Sequence, residues 1–266
     1  MSNCDMVLQA AAVCHKGKVR ANNEDNLIFD RKILRENHEG VRRILNIDNT
    51  RTNVPQLFGV FDGMGGHSKG EKASFLAAAK AGKSFKAKLL KSNRVADFLS
   101  DICFRTNEEV CKEMRSVKAR MGTTASMLYF YLDRVWICNI GDSPIYRMRN
   151  GHLEAIFEEH TERLMREKIY GKEKAKGKKY PLTQHIGIFP DEMVINPYTA
   201  EEEVLPGDQF LICSDGLTDM VEDEVIASEL RTGKAISEKV NHLKELALEN
   251  GGKDNTTIIG IDILSR

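Results

Sequence analysis

Three apolar runs in this chain close in the same way, on an acidic residue beside a glycine. Residues 58–63 end in Asp62-Gly63, residues 210–216 in Asp215-Gly216 and residues 135–142 in Gly141-Asp142. Each run is rich in Val, Ile, Phe or Trp and too short for a helix of about 10–12 residues, so each reads as a buried strand. The chain is thereby directed toward β-sheets whose strands carry carboxylates to their ends.

Other β-type runs lie at residues 6–14, 27–34, 41–47 and 57–61. Two helices are then expected, one Ala- and Lys-rich at about 69–90, the other at about 95–117, where Leu99, Ile102, Cys103, Val110 and Met114 recur at helical spacing. Strands return at residues 123–132, 135–140, 145–149 and 152–157, with Asn150-Gly151 as a tight hairpin turn. The tail reads as a strand at 209–213, helices at about 222–230 and 235–249 stopped by Asn250-Gly251-Gly252, and a strand at 256–263. This is not the regular βαβα alternation of a parallel sheet; hairpins on both sides of a helical pair predict an α+β fold on antiparallel sheets. No linker divides the sequence, so residues 1–266 are expected to form a single domain. Residues 164–181 have the weakest pattern and read as an exposed loop or small subdomain.

Composition excludes several classes. With 41% hydrophobic and 29% charged residues the chain is neither disordered nor fibrous. Lys+Arg and Asp+Glu both number 39, so there is no global basic field and nucleic-acid binding is not expected. The balance breaks locally at residues 162–179, where eight Lys or Arg face three Glu. The longest uncharged apolar stretch, residues 121–132, falls short of the ~20 residues of a membrane helix. Cys4, Cys14, Cys103, Cys111, Cys138 and Cys213 form no paired motif, which fits a reduced, cytoplasmic setting. Residues 6–14 are apolar but follow Asp5 rather than a basic segment, so they read as a first strand and not a signal peptide. A monomer is the default expectation.

Two more acidic positions join the strand mouths: Asp254 just before the last strand, and Glu24-Asp25 before the second. Taken singly, Asp-Gly is an ordinary turn. A set of such residues at strand ends has a different consequence. Two carboxylates about 4 Å apart repel by about 4 kcal/mol at an effective dielectric of about 20, so a converging set must protonate, separate or bind a cation. Carboxylate and carbonyl oxygens are hard ligands suited to Mg²⁺ or Mn²⁺, and the sequence offers no zinc motif. Gly63, lacking a Cβ, lets its backbone approach an ion closely.

With these residues set out, the sequence resembles the metal-dependent serine/threonine protein phosphatases of type 2C, the PPM family, in their bacterial form. Six blocks in family order carry the resemblance over nearly the whole chain: residues 17–25 with Arg20, Glu24 and Asp25; 60–67 with Asp62, Gly63 and His67; 121–124; 140–143 with Asp142; 213–217 with Asp215; and 254–257 with Asp254. The resemblance implies a four-layer α/β-sandwich, two antiparallel β-sheets packed face to face and flanked by helix pairs. It implies that Asp62 bridges two Mn²⁺ or Mg²⁺ ions, that the Gly63 carbonyl joins one of them, and that Asp215 and Asp254 complete the other. Glu24 and Asp25 would act through metal-bound waters, Asp142 would help hold a third, weaker metal, and Arg20 would clamp phosphate.

The implied reaction is hydrolysis of phosphoserine and phosphothreonine esters by in-line attack of a hydroxide bridging the two ions, with no phosphoenzyme. The implied partners are phosphorylated proteins, substrates of a serine/threonine kinase. The basic stretch at about 162–181, with Lys172, Lys174, Lys176, Lys178 and Lys179, reads either as a solvated loop or as a flap beside the site that attracts phosphorylated segments. Met64 stands where eukaryotic members place a histidine, which leaves the general acid unassigned, and His67 reads as a loop or helix-start residue. His160-Thr161 lies in a family-like position without an assigned role. Pro144 departs from the arginine common after Gly-Asp-Ser, which bears on the third metal. Two rivals share the fold: a phosphoesterase for small esters, and a phosphoprotein-binding regulator without turnover. The intact set Asp62, Gly63, Asp215 and Asp254 favours the enzyme over the regulator.

Overall fold

Strands buried on both faces organise the molecule. The computed structural model describes residues 6–64, 69–85, 94–171 and 180–264. Its elements are β1 (Val7–His15), β2 (Asp25–Phe29), β3 (Lys32–Ile33), β4 (Leu45–Arg51), β5 (Gln56–Met64), α1 (Gly70–Phe85), α2 (Val95–Val117), β6 (Gly122–Thr123), β7 (Ala125–Tyr131), β8 (Arg134–Ile140), β9 (Ile145–Arg149), β10 (His152–Ala155), α3 (Arg163–Tyr170), β11 (Tyr198–Glu203), β12 (Gln209–Cys213), α4 (Asp215–Thr218), α5 (Asp223–Leu230), α6 (Ile236–Glu249) and β13 (Thr256–Leu264). One sheet runs β10-β9-β12-β13-β1-β4 and the other β11-β8-β7-β5-β2-β3, with β6 paired to β5. The pairings are antiparallel.

Side-chain alternation builds four layers. On β7, Leu128 and Phe130 enter the core between the sheets, while Met127 and Tyr129 meet α1 and α2. On β12, Phe210 and Ile212 face the same central core, and Leu211 and Cys213 pack toward α5 and α6. Both faces are dry, which is why these antiparallel strands read as unbroken apolar runs. Phe29, Phe58, Phe130 and Phe210 cross the central core edge to face, with successive centroids 5.4, 6.1 and 5.2 Å apart. Helix α1 presents small residues, Ala73, Ala77, Ala78 and Ala81, at helical spacing, and these let it lie close on its sheet. Among the described residues no helix is long and apolar enough to cross a membrane. The described cysteines are buried and free.

Several expected boundaries change. The run 27–34 is two strands, β2 and β3, paired as a hairpin. The strand expected at 41–47 starts at Leu45 and runs on to Arg51; Val41 instead makes one backbone bond to the Cys14 carbonyl and packs half-buried on the central core, which explains its apolar signal without a strand. The stretch expected as an exposed loop at 164–181 begins with α3, whose Arg163 pairs with Glu159 and Glu167 at i±4 spacing. Residues 172–179, with Lys172, Lys174, Lys176, Lys178 and Lys179, lie outside the described residues, as does His67. The strand β11 was not anticipated at all. It is a half-exposed edge strand whose Glu201, Glu202 and Glu203 mask the β pattern.

Candidate active site

Antiparallel register gathers the acidic strand ends on one rim. Asp25 opens β2 directly opposite Asp62 near the end of β5. Asp142 follows β8, Asp215 follows β12, and Asp254 precedes β13. Asp25 joins the two sheets: its Oδ2 accepts hydrogen bonds from Ser214 Oγ at 2.8 Å and Thr257 Oγ1 at 2.7 Å, both on the opposite sheet. Its Oδ1 is buried with no partner among the described residues.

The carboxylates sense one another. Burial pushes the Asp62 carboxyl well above the usual range, and the charges of Asp215, Asp25, Asp142 and Asp254 push it further. Asp25 is 1% exposed and is raised to about 7, first by burial and then by Asp215 and Asp254, against the opposing pull of the Thr257 and Ser214 hydroxyls. The sequence-predicted set Asp25, Asp62, Asp142, Asp215 and Asp254 is thus one electrostatic neighbourhood. Among the described residues no three acidic, histidine or cysteine side chains close into a ready-made coordination cage.

Arg20 lies at the rim with its Nη2 2.5 Å from Asp254 Oδ2. The residue expected to clamp phosphate is therefore held by a residue expected to hold metal. Glu24 precedes Asp25 at the mouth of β2. Its carboxyl sits against Gly70 at the start of α1 and accepts a bond from the Gly70 backbone, where the positive end of the helix favours an anion. Burial nevertheless raises Glu24 above its ordinary value, with Glu71 adding to the effect.

Two glycines are required by close approach. A Cβ on Gly63 would lie 2.3 Å from the Gly70 carbonyl oxygen and 2.4 Å from that of Glu24. A Cβ on Gly216 would lie 1.9 Å from the Asn255 carbonyl oxygen. These positions dock the Asp62 and Asp215 turns onto neighbouring backbone, a packing reason beyond the ion approach expected for Gly63.

A neutral frame that sequence reasoning missed fixes these turns. Asn255 receives the Glu24 N–H at 2.8 Å and donates to the Lys16 and Asn22 carbonyls at 2.8 and 3.0 Å, so one buried amide clamps the 16–24 loop to the Asp254 turn. Thr124 Oγ1 accepts the Asp62 N–H at 3.0 Å and contacts Ser143 Oγ at 2.7 Å, which ties the Asp62 strand to the Asp142 turn. His160 accepts the Gly141 N–H on Nδ1 at 3.1 Å while its backbone N–H donates to the Gly141 carbonyl at 3.1 Å. Burial lowers its pKa, and the neutral ring can keep that acceptor. His38 bonds the Asp25 carbonyl at 2.9 Å and accepts the Gly40 N–H on its other nitrogen. Asn255, Thr124 and His160 fell inside or beside recognised blocks, whereas His38 gave no signal. Pro144 opens the way to β9 and its carbonyl accepts the Cys213 N–H at 3.1 Å, a strand-start position where proline loses nothing.

The donor set is all hard oxygen, with a buried orphan at Asp25 Oδ1 and a field that raises Asp25 to about 7 and Asp62 well above its ordinary value. It suits a divalent cation.

Comparison with known proteins agrees. The family model for protein phosphatase 2C matches residues 46–248. The serine/threonine protein phosphatase PstP of Mycobacterium tuberculosis is 32% identical over 271 residues, covering 99% of this chain and 46% of that protein, so the chain spans about half the length of PstP. The serine/threonine phosphatase stp of Listeria monocytogenes is 28% identical over 256 residues, covering 93% of this chain and 92% of that protein. In structure, the catalytic domain of PstP in complex with two manganese ions matches with a TM-score of 0.78 at 29% identity, over 98% of this chain and 100% of that one. Strand-end carboxylates on a two-sheet sandwich, a matching family model and near-complete overlap with bacterial relatives lead to one assignment: this chain belongs to the protein phosphatase 2C family, in its bacterial serine/threonine phosphatase form.

Proposed function

We propose that this chain hydrolyses phosphoserine and phosphothreonine esters of proteins in a metal-dependent reaction that opposes a serine/threonine kinase. The observation that carries the reading is the opposed pair Asp25 and Asp62, both pushed up by burial and by the surrounding carboxylates. Asp62, the Gly63 carbonyl, Asp215 and Asp254 would hold two Mn²⁺ or Mg²⁺ ions, with Asp142 contributing to a third and weaker site. When bound, such ions supply acidity to water near neutral pH and positive charge to the phosphoryl oxygens.

The remaining work falls to the protein. Asp25 and Glu24 orient water through their carboxylate oxygens; Ser214 and Thr257 fix one oxygen of Asp25 and leave the other for that task. Arg20 spends one bond on Asp254, and its other N–H donors suit phosphoryl oxygens in a planar fork. A thiol nucleophile is disfavoured at both nearby cysteines, since burial pushes Cys14 up to about 12 and Cys213 well above its usual value. This agrees with direct hydrolysis, in which no phosphoenzyme forms.

The test is initial-rate dephosphorylation of a phosphothreonine peptide by metal-stripped protein titrated with MnCl₂. A rate near zero without metal that rises on titration is expected. Metal binding without turnover at saturation would refute the reading, as would trapping of a covalent phosphoenzyme.

A further inference from the structure

We propose that a basic cleft on the outer face of the β1–β4 edge is a docking site for a cluster of Asp and Glu side chains on the substrate. This rests on the function proposed above and adds a second point of contact to it.

The cleft has a volume of 460 Å³ and lies between β1, the segment leading into β4, and α6. Arg42, Arg43 and Lys244 line it, together with His15, Asn46 and Asn241, and no carboxylate does. In a chain with 39 basic and 39 acidic residues, the local excess at this cavity rests on Arg42 and Arg43, since Glu245 offsets Lys244. The donors are uncommitted to different degrees. The Arg42 and Arg43 side chains are exposed and make no hydrogen bond or ion pair among the described residues. Lys244 shares its ammonium between Asn241 Oδ1 at 3.0 Å and Glu245, outside the lining, at 2.8 Å. His15 accepts the Gly17 N–H on Nδ1 at 2.9 Å, which leaves its proton on Nε2. The second cleft on this sheet, lined by His152, Asp223, Glu224 and Arg231, carries both signs.

Position connects the cleft to the phosphatase site. Cys14 Sγ in its wall lies 3.2 Å from Thr257 Oγ1, the hydroxyl that donates its proton to Asp25. His15 and Arg20 are separated by five residues, a reach of at most about 18 Å. An extended peptide with its phosphoresidue at the site therefore reaches the cleft with an anionic group about five or six residues away. Two planar guanidinium forks suit carboxylate and phosphate alike.

The experiment compares wild type with the double variant Arg42→Gln/Arg43→Gln, whose changes lie on exposed side chains outside the catalytic set. Three Mn²⁺-dependent substrates are used: a phosphothreonine peptide with a neutral tail, the same peptide with a glutamate cluster about six residues away, and one with phosphoserines there. The variant is expected to raise KM for the anionic tails by about tenfold, the scale of two partly exposed ion pairs, with kcat unchanged. The neutral-tail peptide and p-nitrophenyl phosphate should be turned over as by wild type. The glutamate tail is expected to show the larger change; a larger change with the phosphoserine tail would overturn the assignment to carboxylates. Equal losses on all substrates, or no preference of wild type for anionic tails, would overturn the proposal. Fluorescence anisotropy with labelled tail peptides lacking phosphothreonine reads the cleft without turnover. Binding lost in the variant, in a protein that hydrolyses nothing, would refute the function above and leave the cleft assignment standing. Binding of single-stranded RNA through Arg42 and Arg43, with no peptide binding, would overturn the cleft assignment.

Discussion

Replacing Asp25 by asparagine should stabilise the metal-free protein in alkali and not in acid. The Asp25 carboxyl is raised from its ordinary 3.8 to about 7 in the fold, first by burial. A folded state that holds its proton more tightly than the unfolded chain has its full stability below the unfolded value, and loses it as pH rises through about 7. The whole gap is worth on the order of 4 kcal/mol at about 1.36 kcal/mol per tenfold of proton affinity, and on the order of 3 kcal/mol of it falls between about pH 5 and about pH 8. Asparagine keeps the shape and an acceptor for Ser214 and Thr257 but carries no charge. It also relieves Asp62, which the Asp25 charge helps to raise. His15, His38, His160 and His185, all lowered by burial, pull stability in the opposite direction, but they do so in both proteins and cancel in the difference. Urea unfolding of both metal-stripped proteins at the two pH values measures that difference. The stability of Asp25→Asn minus that of wild type is expected to grow by about 3 kcal/mol from acid to alkali. Parallel pH profiles, or a variant that becomes relatively weaker as pH rises, would refute the reasoning.

Two further outcomes follow from the frame around the site. Gly63→Ala places a Cβ against the Gly70 and Glu24 carbonyl oxygens, backbone atoms that cannot swing aside, so a loss of about 1–3 kcal/mol is expected together with Mn²⁺-dependent turnover; wild-type stability on urea unfolding would contradict it. His160→Leu strands the buried Gly141 N–H at a cost of about 1–3 kcal/mol, whereas His160→Gln keeps an acceptor and should lose less; equal losses for the two variants in the same assay would remove the role assigned to Nδ1.

What the sequence revealed depended on whether a residue's role is local. The strands around residues 57–61 and 209–213 were legible because both their faces are buried, and the β9–β10 hairpin because Asn150-Gly151 closes Arg149 onto His152 in two residues. Helix α2 showed in the periodicity of Leu99, Ile102, Val110 and Met114. The strand β11 hid behind its glutamates, and Val41 imitated a strand that starts four residues later. At the site the acidic residues stood out as strand-mouth carboxylates. Their supports did not, because support is a property of the register. Thr257 lies 232 positions from Asp25, and nothing in either residue's neighbourhood announces that β2 and β13 begin side by side.

Asp25 is treated differently from two other buried acids, Asp208 and Glu229. Asp208, 1% exposed, is held by the Arg149 guanidinium through Nε at 2.7 Å and Nη2 at 2.6 Å. Glu229 is pushed up by burial, but Lys234 and His242 outweigh that and hold it below its usual value. Asp25 is as deeply buried as Asp208, yet its carboxylate is held by two hydroxyls, and it stays raised. Hydroxyls fix geometry without cancelling charge; a lysine or arginine there would have done both. Where Asp208 and Glu229 are paired with cations, Asp25 is positioned by neutral donors, which preserves the negative field that a divalent cation needs. That field costs stability in its own right, and the Asp25→Asn comparison measures the cost directly.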